Sequence, residues 1–396
     1  MKCFGALLIA CIAVSAASPP AVEDLVRQGF ENFYNLDYPQ AIDDFEKALA
    51  LNPSDPELDN HLAQALLYGE LYRDGALDSQ LVTGNNSFVR RARMEPPPGL
   101  ERRFLGEVDR SLHLCQQQLG SNSRDTRALH AQAVAYGLRA NWGFLVRKTW
   151  VASLSDSSKA HKYDEQVIAI DPSNYDARLV QGIYDYIVGS LPWSMRALGF
   201  IAGFHGDKAR GIATIEEVTR KGRVNRIDAE IILCALYRRE GQAQRAIPLV
   251  RQLIDRFPRN YLLRFELAQM DAAAGRRKDA LETLAEVAKL KQENAPGYGR
   301  IPQEKIDYET GNLQFWFDDL ENALKNLQKA TSTPDQLKQL DLNTGALALM
   351  RQGQIYDLQR RRDLAKKAYQ QAIQLAPDAE AARESEHYIH SPYKRS

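Results

Sequence analysis

A pattern of small and larger apolar residues repeats along the second half of the chain. Ala246, Val250 and Leu253 lie at i, i+4 and i+7, which is the spacing of one face of an α-helix. The spacing returns 34 residues later and twice more, at Ala280, Leu284 and Val287, at Ala323, Leu327 and Ala330, and at Ala365, Tyr369 and Ala372. A period near 34 with small residues at fixed places is typical of stacked helical hairpins. The pattern therefore predicts an all-α, right-handed solenoid of helical hairpins, with the alanines at the helix crossings.

These repeats resemble the tetratricopeptide repeat. In 227–260 and 346–379 the resemblance is carried by Leu233, Tyr237, Gly241, Ala246 and Pro258, and by Leu349, Gly353, Tyr356, Ala365, Tyr369 and Pro377. A first repeat at about 22–55 lacks the glycine of the family in its turn, 35–38. The chain resembles exported bacterial proteins of this family. More distantly, through Pro192 and 203–207, it is similar to a eukaryotic tetratricopeptide family that includes a yeast inclusion-body clearance factor.

The resemblance implies a non-enzymatic scaffold that binds a protein or peptide partner on the concave face of the array. Helix positions that the family does not use for packing point into that face, and here they correspond to Arg238, Arg239, Phe265, Gln269, Tyr308, Asn312, Phe315, Trp316, Gln354 and Asp357. A groove that mixes arginines with aromatic rings suits an extended peptide or an amphipathic helix.

The repeats divide the chain into regular and irregular parts. We expect an N-terminal repeat with its following helix at 18–75, a stiff loop at 76–99, irregular hairpins at 100–221, a regular array at 227–379 and a tail at 380–396. The irregular part is predicted to pair 58–72 with 100–119, 127–150 with 160–170, and 177–188 with 208–221.

An apolar insert at 189–206 interrupts the last irregular hairpin. Trp193, Phe200 and Phe204 occur there, although a loop of a solenoid is ordinarily polar. Two interpretations remain open. The insert either forms an extra helix that plugs the array, or it is an apolar site for a partner helix, a lipid or the membrane interface.

The first residues have the pattern of a secretory signal. Lys2 precedes an apolar run that ends in small residues at 15–17, so we expect cleavage after 17 and an exported, periplasmic or extracellular protein. A lipid on Cys11 is the alternative. Cys115 and Cys234, which remain after cleavage, are expected to be buried and unpaired because they lie on distant helices.

Charge and motifs suggest no chemistry beyond binding. Lys plus Arg and Asp plus Glu are both 51, so no net field favours nucleic acid. We find no catalytic motif, no spacing of metal ligands and no cofactor loop, and no mature apolar stretch long enough to span a bilayer. The sequence thus predicts a protein-interaction scaffold. The alternative is a carrier of an apolar small molecule or lipid that uses 190–205.

Overall fold

The computed structural model describes residues 20–77, 93–190, 206–337 and 340–395. Within these ranges the chain is built of α-helices and one π-helix, with no strand, as the repeat pattern predicted. None of the described helices is long and apolar enough to cross a membrane. The insert residues Trp193, Phe200 and Phe204 and the predicted signal at 1–17 lie outside the described residues.

The helices pair into antiparallel hairpins in chain order. The first four hairpins are α1 (Pro20–Tyr34) with α2 (Tyr38–Leu51), α3 (Pro56–Arg73) with α4 (Leu100–Ser121), α5 (Thr126–Asn141) with α6 (Trp150–Ile170), and α7 (Arg178–Gly189) with α8 (Lys208–Lys221). The next four are α9 (Arg226–Arg239) with α10 (Ala243–Arg256), α11 (Tyr261–Ala273) with α12 (Arg277–Gln292), α13 (Gln303–Trp316) with α14 (Leu320–Thr331), and α16 (Leu342–Leu358) with α17 (Arg362–Leu375). A short helix, α15 (Pro334–Leu337), precedes α16, and α18 (Glu380–His390) follows α17.

The recurring alanines form the helix crossings, as predicted. Ala246, Ala280, Ala323 and Ala365 have no exposed surface. Each lies on the second helix of a regular hairpin, where a larger side chain would hold the two helices apart.

The turn of the first hairpin has Leu36 at the position where the family has glycine. Leu36 adopts a left-handed backbone with φ of 64°, a conformation that costs a residue with a Cβ about 1–2 kcal/mol. Gly241 and Gly275 occupy the corresponding turns of later hairpins with φ of 68° and 77°. Burial of the Leu36 side chain, which is 3% exposed, offsets this cost.

The helix expected at 127–150 is interrupted. It ends at Asn141, continues as a π-helix over Trp142–Arg147, and breaks at Lys148, whose φ is 58°. Trp142 explains the change of winding, because its ring stacks on Phe104 at 4.4 Å and its Nε1 donates to Glu101 at 3.1 Å. The second helix of this hairpin accordingly begins at Trp150 rather than at 160.

The tail expected at 380–396 begins with a helix, which corrects that prediction. Ala381, Ala382 and Ser385 of α18 are buried against the last hairpin. The Arg362 guanidinium donates to the carbonyls of Tyr388 and Ile389 at 2.7 and 2.6 Å. Arginine thus satisfies carbonyl groups that the end of a helix leaves without a partner.

The array curls until its first hairpin contacts the fifth, sixth and seventh. Tyr34 packs on Phe257 with ring centroids 5.0 Å apart, and its hydroxyl donates to the Asp228 carboxylate at 2.9 Å. Asn260 Nδ2 donates to the carbonyl of Tyr34 at 2.7 Å across a separation of 226 positions. Arg300 donates to the carbonyl of Leu36 at 2.9 Å. The solenoid is therefore closed on one side by its own first repeat.

Both cysteines are free and buried, as predicted. Burial raises the pKa of the Cys115 thiol to about 12 and also raises that of Cys234. A thiol with a raised pKa carries little reactive thiolate near neutral pH, so both residues act as small apolar core side chains.

Candidate functional site

A cavity of about 950 Å³ lies where the second hairpin meets the last three. It is surrounded by the end of α3, Arg93, the start of α11, residues 300–305, residues 334–337 and residues 340–343. Because these segments come from opposite ends of the chain, the cavity exists only in the curled array. Its volume is in the range of sites that hold a small ligand or a few residues of a peptide.

One wall of this central cavity is aromatic and aliphatic. The hydroxyl groups of Tyr72 and Tyr261 are 3.0 Å apart. Burial, reinforced by the neighbouring Tyr72, raises the pKa of Tyr261 well above its usual value, so the Tyr261 hydroxyl stays protonated. The wall is completed by the side chains of Leu262, Leu337, Leu340 and Leu375.

Four basic residues also line the central cavity, and two of them are held by acidic neighbours. Arg73 forms a two-pronged pair with Glu70 at 2.8 and 2.6 Å, and Lys305 lies 3.3 Å from Glu309.

Arg93 and Arg300 are exposed at the cavity surface. The Arg300 guanidinium lies 5.4 Å from the centre of the Tyr72 ring. Arginine on an aromatic face keeps outward N–H groups that can hold a carboxylate.

One acidic residue on the same surface, Asp341, is part of local structure. Asp341 begins α16, where its carboxylate accepts the Thr344 N–H at 3.1 Å and the Thr344 hydroxyl at 2.5 Å. Its charge is thus directed at the start of a helix, where negative charge is favourable. The central cavity therefore offers an aromatic wall and exposed guanidinium groups on one surface.

Most of the predicted partner-binding residues are packed within the array. Arg238 pairs with Glu266 at 2.7 Å and both side chains are about nine-tenths buried. Gln269 donates to Glu309 at 3.2 Å. The remaining interior members of the predicted set are Phe265, Tyr308, Asn312, Phe315 and Gln354, together with the Asp357 side chain. These eight residues are therefore packed wholly or partly within the array, and their role in partner binding stays a prediction.

Only Arg239 and Trp316 of the predicted set are exposed. Arg239 lies over the Tyr186 ring at 5.8 Å, and Trp316 is 56% exposed. These two residues belong to the fifth and seventh hairpins and do not form one site.

The structure does bring five members of the predicted set together near the end of the array. Asn312 and Gln354 accept hydrogen bonds from Arg351 at 3.2 and 2.6 Å. The Arg351 guanidinium also lies 4.7 Å from the Phe315 ring and 4.6 Å from the Trp316 ring. Asp357, the fifth member, accepts a hydrogen bond from the Tyr369 hydroxyl at 2.9 Å.

The sequence pattern predicted neither the central cavity nor Arg351. Tyr72, Tyr261 and Arg300 lie on separate hairpins with no common motif, so only the curvature of the array reveals them. Arg351 sits three residues before Gln354 and could have been found from helical spacing. No cluster of three or more histidine, cysteine, aspartate or glutamate residues suited to a metal ion occurs among the described residues.

Comparison with known proteins identifies the repeats. Tetratricopeptide repeat family models match residues 237–299 and 346–379. The fold is a solenoid of helical hairpins, and the chain contains tetratricopeptide repeats in these two segments. Repeats of this family bind protein partners. No functionally curated protein matches the chain.

Similar solved structures also contain these repeats. They include TTC0263, a thermophilic tetratricopeptide repeat protein of Thermus thermophilus, with 16% identity over 63% of this chain and 98% of that chain and a TM-score of 0.35. Yeast Tom70 has 13% identity over 93% of this chain and 95% of that chain, with a TM-score of 0.41. A tetratricopeptide repeat protein from Parabacteroides merdae has 14% identity over 81% and 99%, with a TM-score of 0.31.

Proposed function

We propose that this protein is a non-enzymatic scaffold that binds an extended, acidic segment of a partner protein in the central cavity. The observation that carries the proposal is the surface formed by Arg93, Arg300 and the Tyr72–Tyr261 wall. Exposed guanidinium groups beside aromatic rings combine directional pairing with carboxylates and apolar contact area.

We propose the central cavity as the binding site in preference to the concave groove that the family resemblance implied. Ion pairs and packing already use most of the predicted groove residues, as the Arg238–Glu266 pair shows. The cavity surface is formed by loops and helix ends, which expose their side chains more than helix crossings do.

Affinity capture from the native cell envelope tests this proposal. We expect wild-type protein to retain a specific polypeptide, and the double variant Arg93→Glu and Arg300→Glu to retain at least about tenfold less of it, because reversed charges repel an acidic segment. The measurement is quantitative mass spectrometry of the eluted proteins. Because Arg300 also donates to the Leu36 carbonyl, thermal unfolding and hydrogen exchange in α1 and α11 verify that each variant is folded and keeps the array closed.

Lys366→Glu is the matched control, since Lys366 is an exposed residue of α17 outside the central cavity. The Lys366→Glu substitution changes the charge of the protein by the same amount as either arginine substitution alone. It should leave capture of the partner unchanged. Equal capture by the double variant and by wild-type protein would show that the central cavity is not the binding site.

An apolar small molecule is the second candidate ligand, because leucine side chains complete the aromatic wall of the central cavity. Organic extraction of the purified protein distinguishes the two. A stoichiometric lipid without any captured polypeptide would favour a carrier. The earlier hypothesis that 190–205 forms the pocket wall stays a prediction, as those residues lie outside the described ranges.

We also propose that the protein is exported. Lys2 and the apolar run that ends at 15–17 support cleavage before Ser18. N-terminal sequencing of protein isolated from its native host should begin near Ser18. An intact Met1 would contradict export by this signal, and a lipid-modified Cys11 would indicate anchoring instead.

A further inference from the structure

The segment that follows α18 turns back across the array. The backbone N–H of Tyr393 donates to Asp357 Oδ2 at 2.9 Å. Arg395 donates to the Asp318 carboxylate and to the carbonyl of Phe315. Residues 391–395 form no helix, and Pro392 lacks the N–H that a continuing helix would need.

Aromatic contacts hold the same segment. The Tyr393 ring lies 6.1 Å from the Phe315 ring and 5.4 Å from the Tyr388 ring. The Arg395 guanidinium lies 5.2 Å from the centre of the Phe315 ring. The segment is therefore bound as a peptide ligand would be, through a backbone hydrogen bond, a partly buried ring and an arginine.

The surface beneath the segment is held in place by its own contacts. Asp357, whose side chain is 1% exposed, also pairs with Arg362 at 2.8 Å and accepts the Tyr369 hydroxyl at 2.9 Å. Arg351 fixes Phe315 and Trp316 by lying over both rings. We call this surface the terminal groove; it consists of Phe315, Trp316, Asp318, Arg351, Gln354 and Asp357.

The terminal groove has an acidic rim that suits a basic ligand. The Asp318 side chain is 73% exposed, although it contacts Arg395. The groove shares no lining residue with the central cavity. It also contains four of the residues that the sequence predicted for partner binding, and the segment itself contacts two of them, Phe315 and Asp357.

We propose that the terminal groove binds an extended segment of another protein that carries an aromatic residue followed two positions later by arginine, and that residues 391–395 are an internal competitor for it. A tethered segment is present at a local concentration in the millimolar range. The groove is free only for a fraction of the time, and the apparent affinity for an external peptide falls by that fraction. Release of the segment therefore exposes the groove.

Fluorescence anisotropy with a labelled peptide of residues 391–396, Ser-Pro-Tyr-Lys-Arg-Ser, tests the proposal on the full chain. The double variant Tyr393→Ala and Arg395→Ala frees the groove and should bind this peptide at least about tenfold more tightly than wild-type protein. The single variant Arg395→Ala keeps the packing of Tyr393 and should give an increase in the same direction. Thermal unfolding verifies that both variants are folded.

Lys394 provides the matched control, because it is basic and exposed and lies between the two anchoring residues. A peptide with Lys394→Ala should bind the freed groove within about twofold of the original peptide, whereas a peptide with Arg395→Ala should lose about tenfold. Asp318→Asn in the freed protein should also weaken binding of the original peptide.

Two results would overturn the proposal. One is equal peptide affinity for wild-type protein and for the double variant. The other is an equal loss on replacing Lys394 and Arg395 in the peptide, which would indicate charge attraction without a site. Concentration-dependent dimerisation that Arg395→Ala abolishes would assign the groove to a second copy of the chain instead of an external partner.

Discussion

Replacement of Gly211 by alanine is expected to lower the free energy of unfolding by about 3 kcal/mol. Gly211 lies on α8 where this helix crosses α7. An added Cβ would meet the Gly182 carbonyl oxygen at 2.6 Å and the Tyr186 backbone nitrogen at 2.6 Å. Because both contacts are with backbone atoms, no rotation of a side chain can relieve them. Urea unfolding followed by circular dichroism measures the effect.

Gly106→Ala is the control for this substitution. Gly106 lies on α4, and an added Cβ would meet nothing within 4 Å. Alanine there should raise stability by about 0.5–1 kcal/mol, because glycine has a low helix propensity. A change of stability in the same direction for Gly211→Ala and Gly106→Ala would contradict the close crossing of α7 and α8.

The close crossing of α7 and α8 extends to the described residues that flank the apolar insert. A Cβ on Gly206 would lie 2.5 Å from the Val188 Cβ and 3.0 Å from the Gly189 backbone nitrogen. The last described residues on either side of the insert are thus close together. We therefore expect the Gly211→Ala substitution to raise hydrogen exchange in both α7 and α8.

Replacement of Asn260 by alanine is expected to cost about 2–3 kcal/mol and to loosen the closure of the array. The Asn260 side chain accepts the Leu262 N–H at 3.1 Å, which caps α11, and it donates to the Tyr34 carbonyl at 2.7 Å. Alanine removes the cap and leaves a buried carbonyl without this donor. Hydrogen exchange should rise in both α1 and α11, although they are far apart in sequence.

Asp125→Ala is the control that separates the loss of a helix cap from the loss of the closure contact. Asp125 caps α5 by accepting the N–H groups of Arg127 and Ala128 at 3.0 and 3.2 Å. Its loss should cost only about 1 kcal/mol, with exchange changes confined to the neighbourhood of α5. Normal exchange in α1 after Asn260→Ala would contradict the closure between the first repeat and α11.

The local pattern predicted the hairpins because each repeat packs mainly on its neighbours. Spacing of i, i+4 and i+7 was enough to identify Ala246, Ala280, Ala323 and Ala365 as buried. The break at Lys148 was missed because it depends on the stacking of Trp142 on Phe104 from an earlier hairpin. Helix α18 was missed because its sequence is largely polar and its end depends on Arg362.

The prediction of a concave binding face illustrates the limit of the same argument. The helix positions of the repeat family predicted that Phe315, Gln354 and Asp357 lie near one another, and in the structure they do. Spacing along a helix cannot show whether a face is open, because that depends on which distant segment lies on it. Here Tyr393 and Arg395 lie on Phe315, and the Tyr393 backbone binds Asp357.

By itself, the sequence determined the helical class, the repeat period and the buried alanines, since these follow from side-chain size at regular spacing. Only the tertiary structure decided that the array closes on its first repeat and forms a central cavity. Small rotations between neighbouring hairpins add up along a solenoid. Their sum brought Asn260 to Tyr34 across 226 positions, a contact that no local pattern encodes.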